Sequence, residues 1–343
     1  MGEPLPGLDL PALRSHLDEA APDLLPGELS ARLIAGGKSN LTYAVGNGER
    51  ELVLRRPPLG HVLATAHDMG REFRVMSALA GTSVPVPPMH LMVTDERVLG
   101  APFYLMGLAK GTPYVSASQL RPLGPSRTAA IAIRLMEVLG ALHAIDPDAV
   151  GLADFGRPDG FCERQVRRWS QQLERSHSRD LPAAQELARR LSDDVPQGQA
   201  IAIVHGDYRL DNLLIDENDQ VTAVLDWEMA TLGDPLTDLG LLVVYAQLAH
   251  LVPGGGGGLV PDVALAPGYP SVEEQVAEYA AASGRDVGRL SWYVALAYYK
   301  LAVILEGIHF RHTQGKTVGE GFAHVGGFVQ PLLDGGLRAL KED

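Results

Sequence analysis

Three polar residues near the middle of the chain have the types and spacing of a metal-assisted phosphotransfer site. In Ile203-Val204-His205-Gly206-Asp207-Tyr208-Arg209-Leu210-Asp211-Asn212-Leu213-Leu214-Ile215 an acid, Asp207, is followed five residues on by an amide, Asn212. The run Val221-Thr222-Ala223-Val224-Leu225-Asp226-Trp227-Glu228 then supplies a second acid, Asp226. Apolar residues flank each of the three, so strand ends can present them. A carboxylate such as Asp207 can orient an attacking hydroxyl and accept its proton, while an amide oxygen and a second carboxylate hold Mg²⁺ on the phosphates. An ordinary β-hairpin turning at Glu217-Asn218-Asp219-Gln220 accounts for the apolar runs, but not for Asp207, Asn212 and Asp226 together.

Elements that would position this chemistry lie on both sides. Leu8, Leu10, Leu13 and Leu17 have helical spacing, and Pro22 and Pro26 end that helix, which is expected to pack on its own lobe. Ile34-Ala35-Gly36-Gly37-Lys38-Ser39-Asn40-Leu41 reads as strand–turn–strand, with a small-residue turn whose N–H groups could approach phosphate. It matches neither Gly-x-Gly-x-x-Gly nor the Gly-x-x-x-x-Gly-Lys-Ser/Thr loop. Glu51 to Arg56 is a short strand ending in two arginines, and Asp68 to Leu79 is a helix with Phe73, Met76 and Leu79 on one face. After the proline-rich Val84 to Pro88, strands are expected over His90–Thr94 and Phe103–Leu108.

Further on, helices are expected over Arg127–Ile145, twice within 163–193 as solvated helices, and over Leu236–Leu251. Gly254 to Gly258 breaks the last of these. Ser271-Val272-Glu273-Glu274 opens another helix as a capping box that Gly284 closes, and Leu290–Thr313 follows as an apolar helix. His309 and His312, three apart, lack the further ligands a metal pair needs.

With 343 residues, 46% of them hydrophobic and 21% charged, the chain has enough material for two lobes with substantial cores. A net charge of −13 argues against a nucleic-acid or anionic-membrane surface. The single cysteine, Cys162, excludes an internal disulfide and any zinc-type cysteine spacing. No run is expected to span a membrane, and the first residues lack a signal-peptide pattern, so a cytoplasmic location is expected.

His205-Gly206-Asp207-x-x-x-x-Asn212, Leu225-Asp226-Trp227-Glu228 and Gly233-Asp234-Pro235 with Asp238-Leu239 resemble, in this order, the aminoglycoside phosphotransferase and choline kinase group. The resemblance implies an α+β, bilobal protein-kinase-like fold. Its small antiparallel-sheet N-terminal lobe carries one long helix, and its C-terminal lobe is larger and mainly helical. Residues 1–107 would form the nucleotide-binding lobe and residues 108–343 the catalytic and substrate-binding lobe.

The resemblance further implies that Arg55 takes the place of the family's phosphate-binding cation, paired with Glu72. The turn Gly36, Gly37, Lys38, Ser39 and Asn40 would contact phosphate, and the backbone from Met106 to Leu108 the adenine. Arg209 would stand where many protein kinases place a lysine that touches the γ-phosphate. Asp207 is the catalytic acid–base residue, Asn212 and Asp226 the metal ligands, and His205 and Asp238 braces of the loop. The donor expected is ATP with Mg²⁺, GTP being the alternative.

Val53-Leu54-Arg55-Arg56-Pro57-Pro58 and Leu225-Asp226-Trp227-Glu228-Met229-Ala230-Thr231-Leu232-Gly233-Asp234-Pro235 look most like kinase domains related to those fused to acyl-CoA dehydrogenases. A hydroxylated acid or its acyl-CoA thioester is thus the small-molecule acceptor suggested, and an aminoglycoside or other amino-alcohol is the alternative. A protein kinase is disfavoured because no Asp-Phe-Gly follows the Asp207 loop, where Leu225-Asp226-Trp227-Glu228 stands instead, and Ala-Pro-Glu is absent. The reading from a different class is a nucleotide-binding regulatory module without transfer activity, motivated by arginine at position 55.

Overall fold

Helix α1 (Leu10–Ala20) starts where Asp9 accepts the Ala12 N–H at 2.9 Å and Pro11 takes an early position that needs no hydrogen bond. In this computed structural model, residues 5–35, 40–59, 68–176, 178–197, 201–251, 261–316 and 322–341 are described. They divide into two compact units, one formed by 1–112 with 213–230 and the other by 113–212 with 231–343.

In the first unit, β1 (Ser30–Ala35), β2 (Leu41–Gly46), β3 (Glu51–Arg56), β4 (Met89–Val93) and β5 (Phe103–Gly107) form an antiparallel sheet of order β1-β2-β3-β5-β4. The β2–β3 turn is made by Asn47, whose side-chain oxygen accepts the N–H groups of Glu49 and Arg50. Leu13 and Leu17 of α1 are fully buried in one cluster with Leu8, Tyr43, Leu52, Leu54 and Phe103. Each such leucine contributes about 1.5–3 kcal/mol. Helix α2 (Met69–Leu79) is capped by Asp68 and buries Glu72, Val75, Met76 and Leu79. Arg56 at the end of β3 is buried, donating to the carbonyls of Leu99 (2.8 Å) and Gly7.

A small hairpin, Leu213–Ile215 with Val221–Val224, belongs to this unit. Ile215 pairs with Thr112, and the Val224 N–H donates to the Pro85 carbonyl at 2.8 Å. Its turn is closed by Asp216, which accepts from Asn218 and Gln220. The strand begins at Leu213, because Asn212 ends a 3₁₀ turn, Leu210–Asn212.

The second unit is mainly helical, with helices Pro125–Ala144, Phe161–Ser176, Pro182–Asp193, Leu236–Leu251, Val272–Ser283, Leu290–Thr313 and Val329–Ala339, and a strand pair, Ala202–Val204 with Thr231–Gly233. The expected capping box is present: Ser271 Oγ accepts from Glu274 N, and Glu274 Oε2 from Ser271 N. Phe161–Ser176 is less solvated than its charge suggests, since Cys162, Val166 and Trp169 are buried.

Leu290–Thr313 organises this unit. Trp292 Nε1 donates to the Leu191 carbonyl (3.1 Å), Tyr299 bonds Ser170 (3.0 Å), and Tyr298 donates to Gln247 (2.7 Å). Gly240 lets Leu236–Leu251 approach it: a Cβ there would lie 2.7 Å from the Tyr293 carbonyl carbon. Contrary to the reading from sequence, Leu290–Thr313 is long and apolar enough to cross a membrane by length and composition. In this fold 61% of its apolar window is buried inside the protein, as in a core helix.

Candidate active site

In the first unit, the site residues meet through Arg55. Period-two alternation puts the side chain of Arg55, on β3, in register with Tyr104 on β5. Its Nε lies 3.2 Å from Glu72 Oε2, with the side chains 14% and 1% exposed, and its Nη2 donates to Asp226 Oδ1. Glu72 also accepts from the Tyr104 hydroxyl (2.9 Å) and from Asn40 Nδ2 (3.1 Å). All of these groups donate, which suits an ionised carboxylate. Burial pushes the Glu72 carboxyl up from its ordinary value, and Arg55 and Tyr104 pull it back. For Arg55 burial works against the charge, but Glu72, Tyr104 and Asp226 outweigh it and raise the guanidinium above its ordinary value. The cation is therefore fixed in charge and direction by two acids.

Asp226 follows strand Val221–Val224 and adopts a left-handed conformation, φ 66°, uncommon for a residue with a side chain. Trp227, fully buried with Nε1 on the Val224 carbonyl at 2.9 Å, anchors the bend. Arg71 Nη2 on the Ala230 carbonyl (3.1 Å) ties α2 to the same segment. Met106 is buried within β5, where it pairs with Val53 and Met89, while Leu108 just past the strand is exposed. Gly36, Gly37, Lys38 and Ser39 lie outside the described residues. Asn40, at the end of that turn, is buried and faces Glu72.

In the second unit, Asp207 stands on a loop whose backbone is tied at His205, Gly206 and Asp207. Asp238, buried, accepts the N–H of His205 and that of Gly206, each at 2.7 Å. The Asp207 N–H donates to His205 Nδ1 (3.3 Å), and Asn212 Nδ2 to the Asp207 carbonyl (2.9 Å). Behind Asp238 stands His143, its Nε2 at 3.3 Å and its Nδ1 2.8 Å from the Tyr279 hydroxyl. A carboxylate only accepts, so Nε2 carries the proton and Tyr279 donates to Nδ1. Burial pulls His143 below its ordinary value. Burial acts to raise Asp238, but its His143 bond and the His205 N–H prevail and hold it low. His205 and Asp238 thus brace the loop.

The Asp207 carboxylate itself is loosely held: Tyr245 Oη and Asn212 Nδ2 are each 3.4 Å away and Arg209 Nε 3.7 Å. A side chain that must take up a substrate hydroxyl is expected to have such long contacts when free. Arg209 pairs with Asp211 (2.8 Å) and stacks on Tyr245, 5.1 Å from the ring centre. Asn212 uses its amide nitrogen on a carbonyl, which leaves the amide oxygen for a cation. Asp226 retains Oδ2, and its side chain is 30% exposed. Amide and carboxylate oxygens are the donors a hard cation such as Mg²⁺ takes, so both residues fit the role expected of them. Among the described residues no group of three or more His, Cys, Asp or Glu is arranged to hold a metal.

Reading the sequence missed Tyr245 and Lys300. Lys300 Nζ donates to the Gly206 carbonyl at 2.9 Å and lies 5.9 Å from the Trp169 ring centre. The available signal was a polar side chain within an apolar helix, which demands an internal partner.

Comparison with known proteins identifies the family. The phosphotransferase enzyme family, APH, matches residues 30–293. This chain belongs to that family. As a member it is a small-molecule kinase acting on hydroxyl groups, with a protein-kinase-like fold. Among relatives, mouse acyl-CoA dehydrogenase family member 10 is 38% identical over 82% of the chain and 26% of its own length. Chicken acyl-CoA dehydrogenase family member 11 is 35% identical over 92% of the chain and 41% of its own length. The phosphotransferase therefore spans well under half the length of these relatives. A crystal structure of a candidate aminoglycoside phosphotransferase from Ralstonia eutropha is 33% identical, covers 97% of this chain and 98% of its own, and superposes with a TM-score of 0.85. Aminoglycoside phosphotransferase APH(4)-Ia, in complex with AMP-PNP and hygromycin B, shares the fold at 16% identity and TM-score 0.58, over 96% of this chain and 98% of its own.

Proposed function

We propose that this phosphotransferase moves the γ-phosphate of ATP to the hydroxyl of a hydroxylated acid or its acyl-CoA thioester. The observation that carries the transfer reading is the Asp207 loop: a loosely held carboxylate on a rigid backbone, beside an amide whose oxygen is left for a cation. Asp207 orients the acceptor hydroxyl and takes its proton, and alignment matters more than basicity because the proton leaves late in a loose transition state. Asn212 and Asp226 are the residues that would hold Mg²⁺, which would supply neutralisation of phosphate charge. Arg55, directed by Glu72, binds phosphate together with Gly36, Gly37, Lys38, Ser39 and Asn40. Met106 and Leu108 meet the adenine, and Arg209 the γ-phosphate. In this reading residues 1–107 bind nucleotide, residues 108–343 bind acceptor, and the site of action is the cytoplasm. GTP is the alternative donor.

One feature supports an acidic acceptor: the relatives at 33–38% identity include acyl-CoA dehydrogenase family members. The likeness to the Ralstonia protein supports an aminoglycoside or other amino-alcohol as the second reading. A nucleotide-binding regulatory module is the third, and any phosphoryl transfer above background removes it. The test is mass-spectrometric detection of a phosphorylated product from hydroxy acids, hydroxyacyl-CoAs and aminoglycosides incubated with Mg·ATP. Product from aminoglycosides alone overturns the acidic acceptor.

A further inference from the structure

We propose that Lys300 is a positioning residue for phosphoryl transfer, its ammonium on the Gly206 carbonyl fixing the backbone that carries Asp207. This rests on the role of Asp207 given above.

Gly206 turns the chain with φ +84°, a conformation unfavourable for other residues. Such a turn leaves its peptide groups exposed to competing arrangements unless they are tied. Here the N–H of Gly206 is held by Asp238 at 2.7 Å and its carbonyl by Lys300 at 2.9 Å, so both sides of the turn are pinned by charged groups. Bonds to charged groups are about twice as strong as neutral ones. The pins come from different helices, Leu236–Leu251 and Leu290–Thr313.

The second helix is suited to act as a fixed reference. Tyr293, seven residues before Lys300 and so on the same face, donates to Asp234 Oδ2 at 2.6 Å. Asp234 in turn accepts the Leu236 N–H at the start of the other helix. Gly240 brings the two helices into backbone contact at Tyr293. One helix face therefore sets both the start of Leu236–Leu251 and the Gly206 turn.

Solvent could satisfy a lone carbonyl, and a half-buried lysine is costly. Burial does pull Lys300 below its ordinary value, against the opposing pull of Asp207 and Asp238. The side chain remains where its charge reaches the loop, packed near the Trp169 ring. A purely structural lysine would gain nothing from this placement that a neutral side chain could not supply.

The test compares Lys300→Met, which keeps the apolar stem and removes the ammonium, with Lys300→Arg. Turnover is followed with Mg·ATP and hydroxyacyl-CoAs, hydroxy acids and aminoglycosides, and amide exchange is read over residues 203–214. For Lys300→Met, kcat falls about 10- to 100-fold, as for a catalytic group displaced by a fraction of an ångström to an ångström. KM for ATP stays within about twofold, since nucleotide contacts are untouched. Exchange over 203–214 rises about tenfold or more while that of residues 290–299 is unchanged, and Lys300→Arg recovers most of kcat. Unchanged kcat, unchanged exchange, or a joint loss of kcat, ATP affinity and thermal stability each overturns the proposal. If the wild-type protein phosphorylates none of these acceptors, the transfer reading fails, and the exchange arm alone then decides whether Lys300 fixes the turn.

Discussion

Replacing Asp238 by asparagine leaves its shape and removes its charge, so the cost isolates what the carboxylate does for the Asp207 loop. Asp238 is buried and accepts two backbone N–H groups at 2.7 Å, with His143 Nε2 at 3.3 Å. In Asp238→Asn one oxygen becomes an amino group facing an N–H, and the remaining bond loses its charge assistance. Bonds to charged groups contribute about 1.5–3 kcal/mol each, so the expected loss is about 3–5 kcal/mol. Against a total stability of roughly 5–15 kcal/mol this is a large fraction. Urea unfolding at neutral pH, followed by tryptophan fluorescence and far-UV circular dichroism, measures it. A loss below about 1 kcal/mol would falsify the argument, because buried donors left facing a donor cannot be that cheap.

The same pair sets a pH dependence. His143 is held below its ordinary 6.5, so as pH falls through 6.5 the unfolded chain binds a proton that the folded chain refuses, and stability declines. Asp238 is held below its ordinary 3.8, so its contribution is fully present above 3.8 and is lost as pH falls through its lower folded value. Asp238→Asn abolishes the second decline and keeps the first. Equal stability of the wild-type protein at pH 7 and pH 5 contradicts the His143 part.

Other perturbations separate the remaining roles. Arg55→Lys replaces a fork that holds Glu72 and Asp226 together with a single ammonium. It raises KM for ATP by about tenfold, and an unchanged KM removes Arg55 from phosphate binding. Asp226→Ala eliminates metal-dependent nucleotide binding in calorimetry, so retained Mg·ATP affinity counts against its assignment as a ligand. Gly240→Ala drives a Cβ against the backbone of Tyr293 and lowers stability by about 1–3 kcal/mol. A melting temperature equal to the wild type shows that the two helices are not packed that closely.

Much of this architecture was legible in the chain because its signals are local. Periodic leucines placed α1, the Ser271–Glu274 capping box and Gly284 bounded Val272–Ser283, and the spacing of Asp207, Asn212 and Asp226 named the chemistry. What escaped is non-local. Lys300 and Tyr245 sit in helices whose apolar composition reads as core, and nothing adjacent in sequence announces that they turn toward residues 206 and 207. The burial of Arg56 was not legible because its acceptors, the carbonyls of Gly7 and Leu99, come from segments more than 40 residues away. The Leu290–Thr313 helix is apolar for the same reason that it resembles a membrane span: its neighbours bury it on several sides.

Mg·ATP-dependent phosphorylation of a panel of hydroxy acids, hydroxyacyl-CoAs, choline-like amino-alcohols and aminoglycosides, with Asp207→Ala alongside, tests the central claim most directly. The account predicts a phosphorylated hydroxy acid or hydroxyacyl-CoA from the wild-type protein. It predicts none from Asp207→Ala, although that variant still binds ATP. Equal turnover by the variant, or tight Mg·ATP binding with no phosphorylated product from any acceptor, would contradict it.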